Sequence, residues 1–494
     1  MRPLSRPLRP RLAYAATCAL AIGTLAPAAS HAGSVAGAGI APGAGTAAGA
    51  GAGAGNASAA PAHAAGSSLV VRFKHGVSDA ARAASLRAAG VSRAAARVGG
   101  ADVVAPRAGV DAARALERLT RDRSVAWAER SLRAGSAYVP NDSGVASAAG
   151  PPAGWATLQW ELNGPFGINA PVAWSQASRL GGSGGRGVTV AVLDSGVAYT
   201  TRGRFARSPD LDPSRFVRGY DFIEDDSYPS DEFGHGTFVA SIIGATANNA
   251  YGTVGVAYRA KIMPVRVLDF EGKSDAATIA RGVRYATSHG ADVINLSLEL
   301  FDAPPLEARP RSVMSSRTVR SALIAARSAG VVVVSATGNS FDLAVPGERY
   351  DTLAINVGGT TEHGCLGGYS NHGPGLDVVA PGGGVDAPLQ GDPNCQPAGP
   401  PGRNVSGVSF TAAAPRTFEM LQGFTGTSSA APHVTGVVAL VLASGVLGKD
   451  PKPRDVERHI ERTARDLGAP GHDRYYGWGL VDAAAATKPI TPSG

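Results

Sequence analysis

Three stretches of the chain are almost wholly apolar instead of alternating: Val188-Thr189-Val190-Ala191-Val192-Leu193, Ala291-Asp292-Val293-Ile294-Asn295-Leu296 and Val331-Val332-Val333-Val334. Strands of this composition offer water no polar face, so they have to be covered on both sides, as strands in parallel sheets are. Between the runs, residues 234–244 and 275–289 space their apolar side chains as helices do. This repetition predicts an α/β fold: a mostly parallel, doubly wound sheet flanked by helices and joined by right-handed crossovers. Such sheets collect ligands beyond the carboxyl ends of their strands, so the residues following each run are the first places to look for chemistry.

Upstream of this region the composition changes. The 494 residues include 46 Lys or Arg and 39 Asp or Glu, a formal +7 that alone would suit an acidic partner such as nucleic acid. Residues 1–137, however, hold 17 basic and 6 acidic side chains, whereas residues 138–494 hold 29 and 33. The basic excess therefore belongs to the first part, the remainder is mildly acidic, and no nucleic-acid partner is expected.

Residues 1–11 carry Arg2, Arg6, Arg9 and Arg11 and no acid, residues 12–26 are uncharged and mostly apolar, and Ala28-Ala29-Ser30-His31-Ala32 follows. This is the order of a secretory signal, so residues 1–32 are read as a cleaved signal peptide and the protein as secreted, extracellular or periplasmic. The apolar run is shorter than the roughly 20 residues a membrane anchor needs, and no later segment reads as a span. Residues 33–66, where 25 of 34 are Gly or Ala, form a low-complexity linker that cannot build a core. Residues 67–137 follow a β-α-β-α-β pattern, with strands at 69–73, 101–105 and 124–129 and helices at 78–89 and 111–120. Residues 138–158 read as a processing and linker region, 159–485 as the main domain and 486–494 as a tail. Cys18 leaves with the signal. For Cys365 and Cys395 an oxidising compartment favours a disulfide, with two free thiols as the alternative.

Four polar residues fall at strand ends or helix starts of the main domain. Asp194 follows Val192-Leu193, His235 lies between Gly234 and Gly236, Asn339 ends Ala336-Thr337-Gly338-Asn339, and Ser428 precedes an apolar helical stretch. Singly, each has an ordinary explanation as a turn residue, a helix cap or a solvent-facing imidazole. Together they form a chemical set. A serine hydroxyl needs a neutral imidazole to accept its proton, and a buried carboxylate fixes the imidazole tautomer and stabilises the imidazolium. The Asn339 amide and the Ser428 N–H at a helix start are donors for a developing oxyanion. An α/β-hydrolase is disfavoured, because the Gly-x-Ser-x-Gly elbow is missing and the acid and base precede the serine.

The contexts Val192-Leu193-Asp194-Ser195-Gly196, His235-Gly236-Thr237-Phe238-Val239-Ala240 and Gly426-Thr427-Ser428-Ser429-Ala430-Ala431-Pro432-His433, in that order, resemble the subtilisin-like serine proteases (subtilases). Tyr369-Ser370-Asn371, Val379-Ala380-Pro381-Gly382 and Tyr476-Gly477-Trp478-Gly479 extend the similarity over about residues 159–485. Phe238 replaces a second histidine usual in the family and Ser429 a methionine. The resemblance implies a serine endopeptidase acting on proteins or peptides through an acyl-enzyme, with Asp194, His235 and Ser428 as triad and Asn339 in the oxyanion hole. A catalytically silent peptide-binding protein on the same scaffold is the alternative.

The resemblance further implies that extended substrate lies between two strands, ending at Glu271-Gly272-Lys273 and Ser297-Leu298-Glu299, with Ala336, Thr337 and Gly338 walling the primary pocket. Asp210 and Asn249 resemble part of a structural calcium site, although the chemistry itself needs no cofactor. The acidic residues Glu224, Asp225, Asp226, Asp231 and Glu232 read instead as a solvated loop. Residues 67–137 look like an inhibitory, fold-assisting prosegment whose positive charge suits the acidic main domain, so the precursor would process itself and act as a monomer. Segments 299–316 and 383–422 are longer than the family's core requires.

Overall fold

The computed structural model describes residues 69–74, 76–93, 101–130, 140–145, 154–301, 310–311, 315–342 and 353–489. The expected signal peptide and Gly/Ala linker lie outside them. The chain divides into two units, Met1–Arg133 and Ala134–Gly494.

In the first unit, β1 (Leu69–Phe73), β2 (Val91–Arg93), β3 (Asp102–Pro106) and β4 (Val125–Arg130) form an antiparallel sheet in the order β2-β3-β1-β4. Helices α1 (Asp79–Ala89) and α2 (Ala112–Arg121) start at Ser78 and Asp111, whose side chains accept the N–H groups of Ala81 and Arg114. Leu69, Val71, Leu86, Val104, Ala115 and Leu119 close a small core. Strand β2 is an addition to the expected pattern: three residues, mostly exposed, carry too little alternation to read as a strand.

The second unit holds seven parallel strands: β5 (Thr189–Asp194), β6 (Tyr220–Asp221), β7 (Lys261–Arg266), β8 (Val293–Leu296), β11 (Val332–Ala336), β12 (Ile355–Thr360) and β13 (Val378–Pro381). Their order is β13-β12-β11-β8-β5-β7-β6. The short pair β9 (Leu300–Phe301) and β10 (Pro310–Arg311) lies outside this sheet. Residues 302–309 and 312–314 of the expected 299–316 insertion are not among those described.

Alternate residues of β5 feed two different cores, as a doubly wound sheet requires. Val190 and Val192 join the layer containing α6 (His235–Gly244) and α9 (Thr427–Ser444). Ala191 and Leu193 join the layer containing α7 (Ala276–Ser288) and α8 (Arg317–Ser328). By length and composition α9 could cross a membrane, contrary to the expectation that no later segment reads as a span. Its apolar window is 83% buried inside the unit, which makes it the central helix of a folded core. The short α3 (Trp155–Leu158) and α4 (Trp160–Asn163) precede α5 (Ala170–Arg179), and α10 (Pro453–Thr463) and α11 (Ala483–Ala486) complete the unit. Trp155 is buried edge-on against Trp174, so part of the expected linker region belongs to this core.

The 383–422 insertion carries a hairpin of β14 (Val405–Ser409) and β15 (Glu419–Phe424). Cys395, within the insertion, forms a disulfide with Cys365, with Cα atoms 4.8 Å apart.

Candidate active site

Asp194 is the last residue of β5 rather than the first beyond it. It is fully buried, and its Oδ1 accepts from the Ser195 N–H at 2.7 Å. The same oxygen lies 2.8 Å from Nδ1 of His235, which opens α6. Gly234 turns the chain into that helix at φ 97°, and a Cβ there would collide with the Phe410 carbonyl of the hairpin loop. Ser409 Oγ donates to the Gly234 carbonyl at 2.6 Å. The His235 ring is 16% exposed, with Phe233 and Phe424 at centroid distances of 6.4 and 6.2 Å. Phe424 stacks at 4.2 Å on Phe238, so the residue replacing the family's second histidine joins an apolar wall beside His235.

Burial by itself would lower the His235 pKa. The charge of Asp194, its hydrogen bond and the charge of Asp231 more than offset this, so the imidazole ends above its ordinary value.

Asp231 corrects the reading of the acidic run as a solvated loop. Glu224 and Asp225 are exposed, but Asp231 is buried. Its Oδ1 accepts from the N–H groups of Phe233 (3.0 Å) and Gly234 (2.8 Å) and from Ser195 Oγ (2.9 Å). Its Oδ2 accepts from the Thr237 N–H and hydroxyl at 2.8 and 2.6 Å. Asp231 thereby caps the helix that presents His235, and the sequence signal was an Asp four residues before a Gly-flanked His. Glu232 pairs with Arg266 at 2.9 Å and with Arg204.

Ser428 lies inside the first turn of α9, not ahead of it. Its Oγ donates to the Ser297 carbonyl at 3.3 Å, and Ser297 Oγ donates to the Ser428 carbonyl at 3.0 Å. Among the described residues, therefore, Ser428 rests on the β8 loop and makes no hydrogen bond to His235. Ser429 is buried with its carbonyl 2.8 Å from His433 Nδ1, whereas Ser428 is half-buried, which favours Ser428 as the reactive hydroxyl.

Asn339 turns Oδ1 to the Thr427 N–H at 2.8 Å, which leaves its Nδ2 donor without a partner among the described residues. Thr427 Oγ1 also accepts from the Gly338 N–H at 3.1 Å, tying the start of α9 to the loop after β11. Asn371 locks the same loop: Nδ2 donates to the Thr337 carbonyl at 3.0 Å and Oδ1 accepts from the Ser340 N–H at 2.9 Å. Ala336 and Thr337 are buried, as befits a wall, and Leu298 packs into the core beneath. Residues 271–273 are not a strand. Asp269 Oδ1 accepts from the N–H groups of Glu271 and Lys273, both at 2.9 Å, and closes a turn in which Gly272 has φ 74° and faces Phe233.

The expected calcium residues Asp210 and Asn249 meet, with Asn249 Nδ2 donating to Asp210 Oδ1 at 2.9 Å. Asp142 joins them unforeseen, its carboxylate accepting from the N–H groups of Asn248 (2.9 Å) and Asn249 (3.1 Å). Burial raises the pKa of both carboxyl groups, and for Asp210 the Asp142 charge adds to the rise. Two buried carboxylates, the charge of one raising the pKa of the other, fit a hard divalent cation, whereas Asn249 presents its amide nitrogen to Asp210 and its own oxygen to the Tyr251 N–H. Among the described residues, Asp377, Glu457 and Glu461 also converge. There Glu457 pairs with Arg327 at 2.7 Å.

Residues 185–479 match the family described as Subtilase family. Subtilisin BL of Lederbergia lenta is 34% identical over 327 residues, 66% of this chain and 98% of that relative. Thermitase of Thermoactinomyces vulgaris is 31% identical over 325 residues, 66% of this chain and 95% of its own. Among solved structures, a protease from Pseudoalteromonas arctica is similar with a TM-score of 0.53 at 31% identity, over 71% of this chain and 99% of that one.

Proposed function

We infer, for a chain that belongs to the subtilase family and is a serine-type endopeptidase, that Ser428 is its nucleophile, His235 its general base and Asp194 the group that orients the base. The Asp194–His235 contact of 2.8 Å carries this reading. With Nδ1–H held by the carboxylate, Nε2 keeps its lone pair for the serine proton. Ser428 Oγ leaves the Ser297 carbonyl, turns to Nε2, and attacks the scissile carbonyl as its proton passes to His235. The imidazolium returns that proton to the leaving amine, and water hydrolyses the acyl-enzyme by the same relay. Asn339 Nδ2 and the Ser428 N–H receive the oxyanion, with Oδ1 of Asn339 already fixed by Thr427.

The protein is secreted after loss of residues 1–32, and the unit around residues 67–137 is a prosegment that assists folding and inhibits the enzyme until the precursor cuts itself. Its substrates are proteins or peptides. Asp142, Asp210 and Asn249 would hold a calcium ion, which when bound supplies positive charge to two buried carboxylates and no step of the reaction.

Labelling of the mature protein by a fluorophosphonate tests the site. Label on Ser428, lost in Ser428→Ala and in His235→Ala, is expected, and a folded wild type that takes none refutes it. N-terminal sequencing of secreted wild type and Ser428→Ala tests export and self-processing: the variant should retain the prosegment.

A further inference from the structure

Glu299 is an acidic group beside Asn339 that the chemistry above leaves unused. It stands two residues beyond Ser297, whose carbonyl accepts from Ser428 Oγ. From there its side chain crosses to the opposite wall, where Oε1 accepts from the Asn339 N–H at 2.7 Å. A Cβ on Gly338 would collide with that same oxygen, so the carboxylate lies against Gly338. Of the segments it bridges, 297–299 is expected to run along the extended substrate and 336–338 to wall the primary pocket, so the carboxylate stands where the substrate's side chain would enter that pocket.

The carboxylate is only half satisfied. Its second oxygen takes no hydrogen bond among the described residues, and no described Lys or Arg pairs with it. Burial raises its pKa, opposed by the single N–H from Asn339. A partly desolvated carboxylate without a counter-ion is stabilised by an incoming cation and penalises a neutral group that buries it further. A side chain entering between the walls meets this charge, and Lys and Arg are the side chains long enough to reach it with an apolar stem and a cationic tip.

We propose that Glu299 makes the primary pocket selective for Lys or Arg on the acyl side of the scissile bond. The inference rests on the pocket assignment above and deepens it to a substrate class. An uncharged, large side chain would have to displace the carboxylate from Asn339 or bury it unpaired, so the same residue both attracts one class and repels another.

Peptide p-nitroanilides that differ only in the terminal residue (Arg, Lys, Leu or Phe) test this on the enzyme matured from the full chain. In wild type, kcat/KM for Arg and Lys should exceed that for Leu and Phe by about tenfold or more. Glu299→Gln keeps an acceptor for the Asn339 N–H and removes the charge. It should lose about 10- to 100-fold on Arg and Lys while Leu is unchanged or improved. A cooperative thermal melt close to that of wild type certifies each variant as folded, and Glu299→Ala provides a second removal of charge if the Gln variant melts early. Equal losses on all four substrates would reduce Glu299 to a positioning role for Asn339 and overturn the proposal, as would a wild-type preference for Leu or Phe. Absence of both labelling and turnover in wild type would instead overturn the site assignment, and this proposal with it.

Discussion

Replacing Asp231 by Asn tests how far the base depends on a residue that never touches it. The Asp231 carboxylate accepts five hydrogen bonds, three of them from the backbone N–H groups of Phe233, Gly234 and Thr237. An amide offers one oxygen, so either Thr237 or the Phe233–Gly234 pair faces an NH2 group and loses its acceptor. An orphaned buried N–H costs about 1–3 kcal/mol, so a net loss of about 2–3 kcal/mol is expected. At roughly 2–4 °C per kcal/mol for a large domain, the melting temperature should fall by about 4–12 °C. The second consequence concerns charge. His235 must be neutral to accept the Ser428 proton, so kcat/KM rises on the acid side as the imidazole deprotonates. Asp231 is one of the groups holding the His235 pKa up. Removing its charge lowers that pKa and moves the acid limb to lower pH, with Asp194 and Ser428 untouched. A kcat/KM profile from about pH 5 to pH 9, alongside thermal melts, measures both effects. An acid limb that stays in place or moves to higher pH would refute the electrostatic argument, even if the protein melts early.

Asn339→Ala should lower kcat by about 10²–10³ with little change in KM, because its Nδ2, without a partner among the described residues, is the donor proposed for the developing oxyanion. Cys395→Ser opens a closure of sequence separation 30 and should cost about 3–4 kcal/mol in the chain-entropy account, seen as an earlier denaturant midpoint. Chelation of calcium should lower the melting temperature of wild type, whereas Asp210→Asn should already melt low and respond little to chelator. Glu161 is fully buried and its pKa is raised to about 8, chiefly by burial, so the folded chain keeps a proton that the unfolded chain gives up near its ordinary value of 4.5. Stability should therefore decline as pH rises from about 4.5 to 8, by up to roughly 1.4 kcal/mol per pH unit, and Glu161→Gln should flatten the slope.

The sheet and the positions of the candidate site residues were readable because each has a local cause. An unbroken apolar run needs cover on both faces, and Asp194, His235, Asn339 and Ser428 stand where strands end or helices begin. Residues whose roles depend on distant partners were not readable in this way. Asp231 is one of five acids within nine residues, and its place four residues before a Gly-flanked His hints at a cap without telling that it is buried. Asp142 finds Asn249 across 107 positions. The turn at 271–273 is fixed by the Asp269 side chain, which a strand-end reading passes over. In each case the deciding quantity is burial or a side-chain acceptor, and neither is a property of a short stretch of sequence.

The placement of β5 has a bearing on how the chain reaches this state. The strand is made early, yet its neighbours are β7 and β8: Val190 pairs with Ile262 and with Val293, 72 and 103 positions later. Until both arrive, Val190–Leu193 is an apolar ribbon with two open edges, and closing such distant pairs is intrinsically slow. A nascent or refolding chain therefore passes through a period in which the strand carrying Asp194 is as ready to join a strand of another molecule as its own partners. The stability of the finished sheet does nothing to shorten that wait, and only something acting on the rate can.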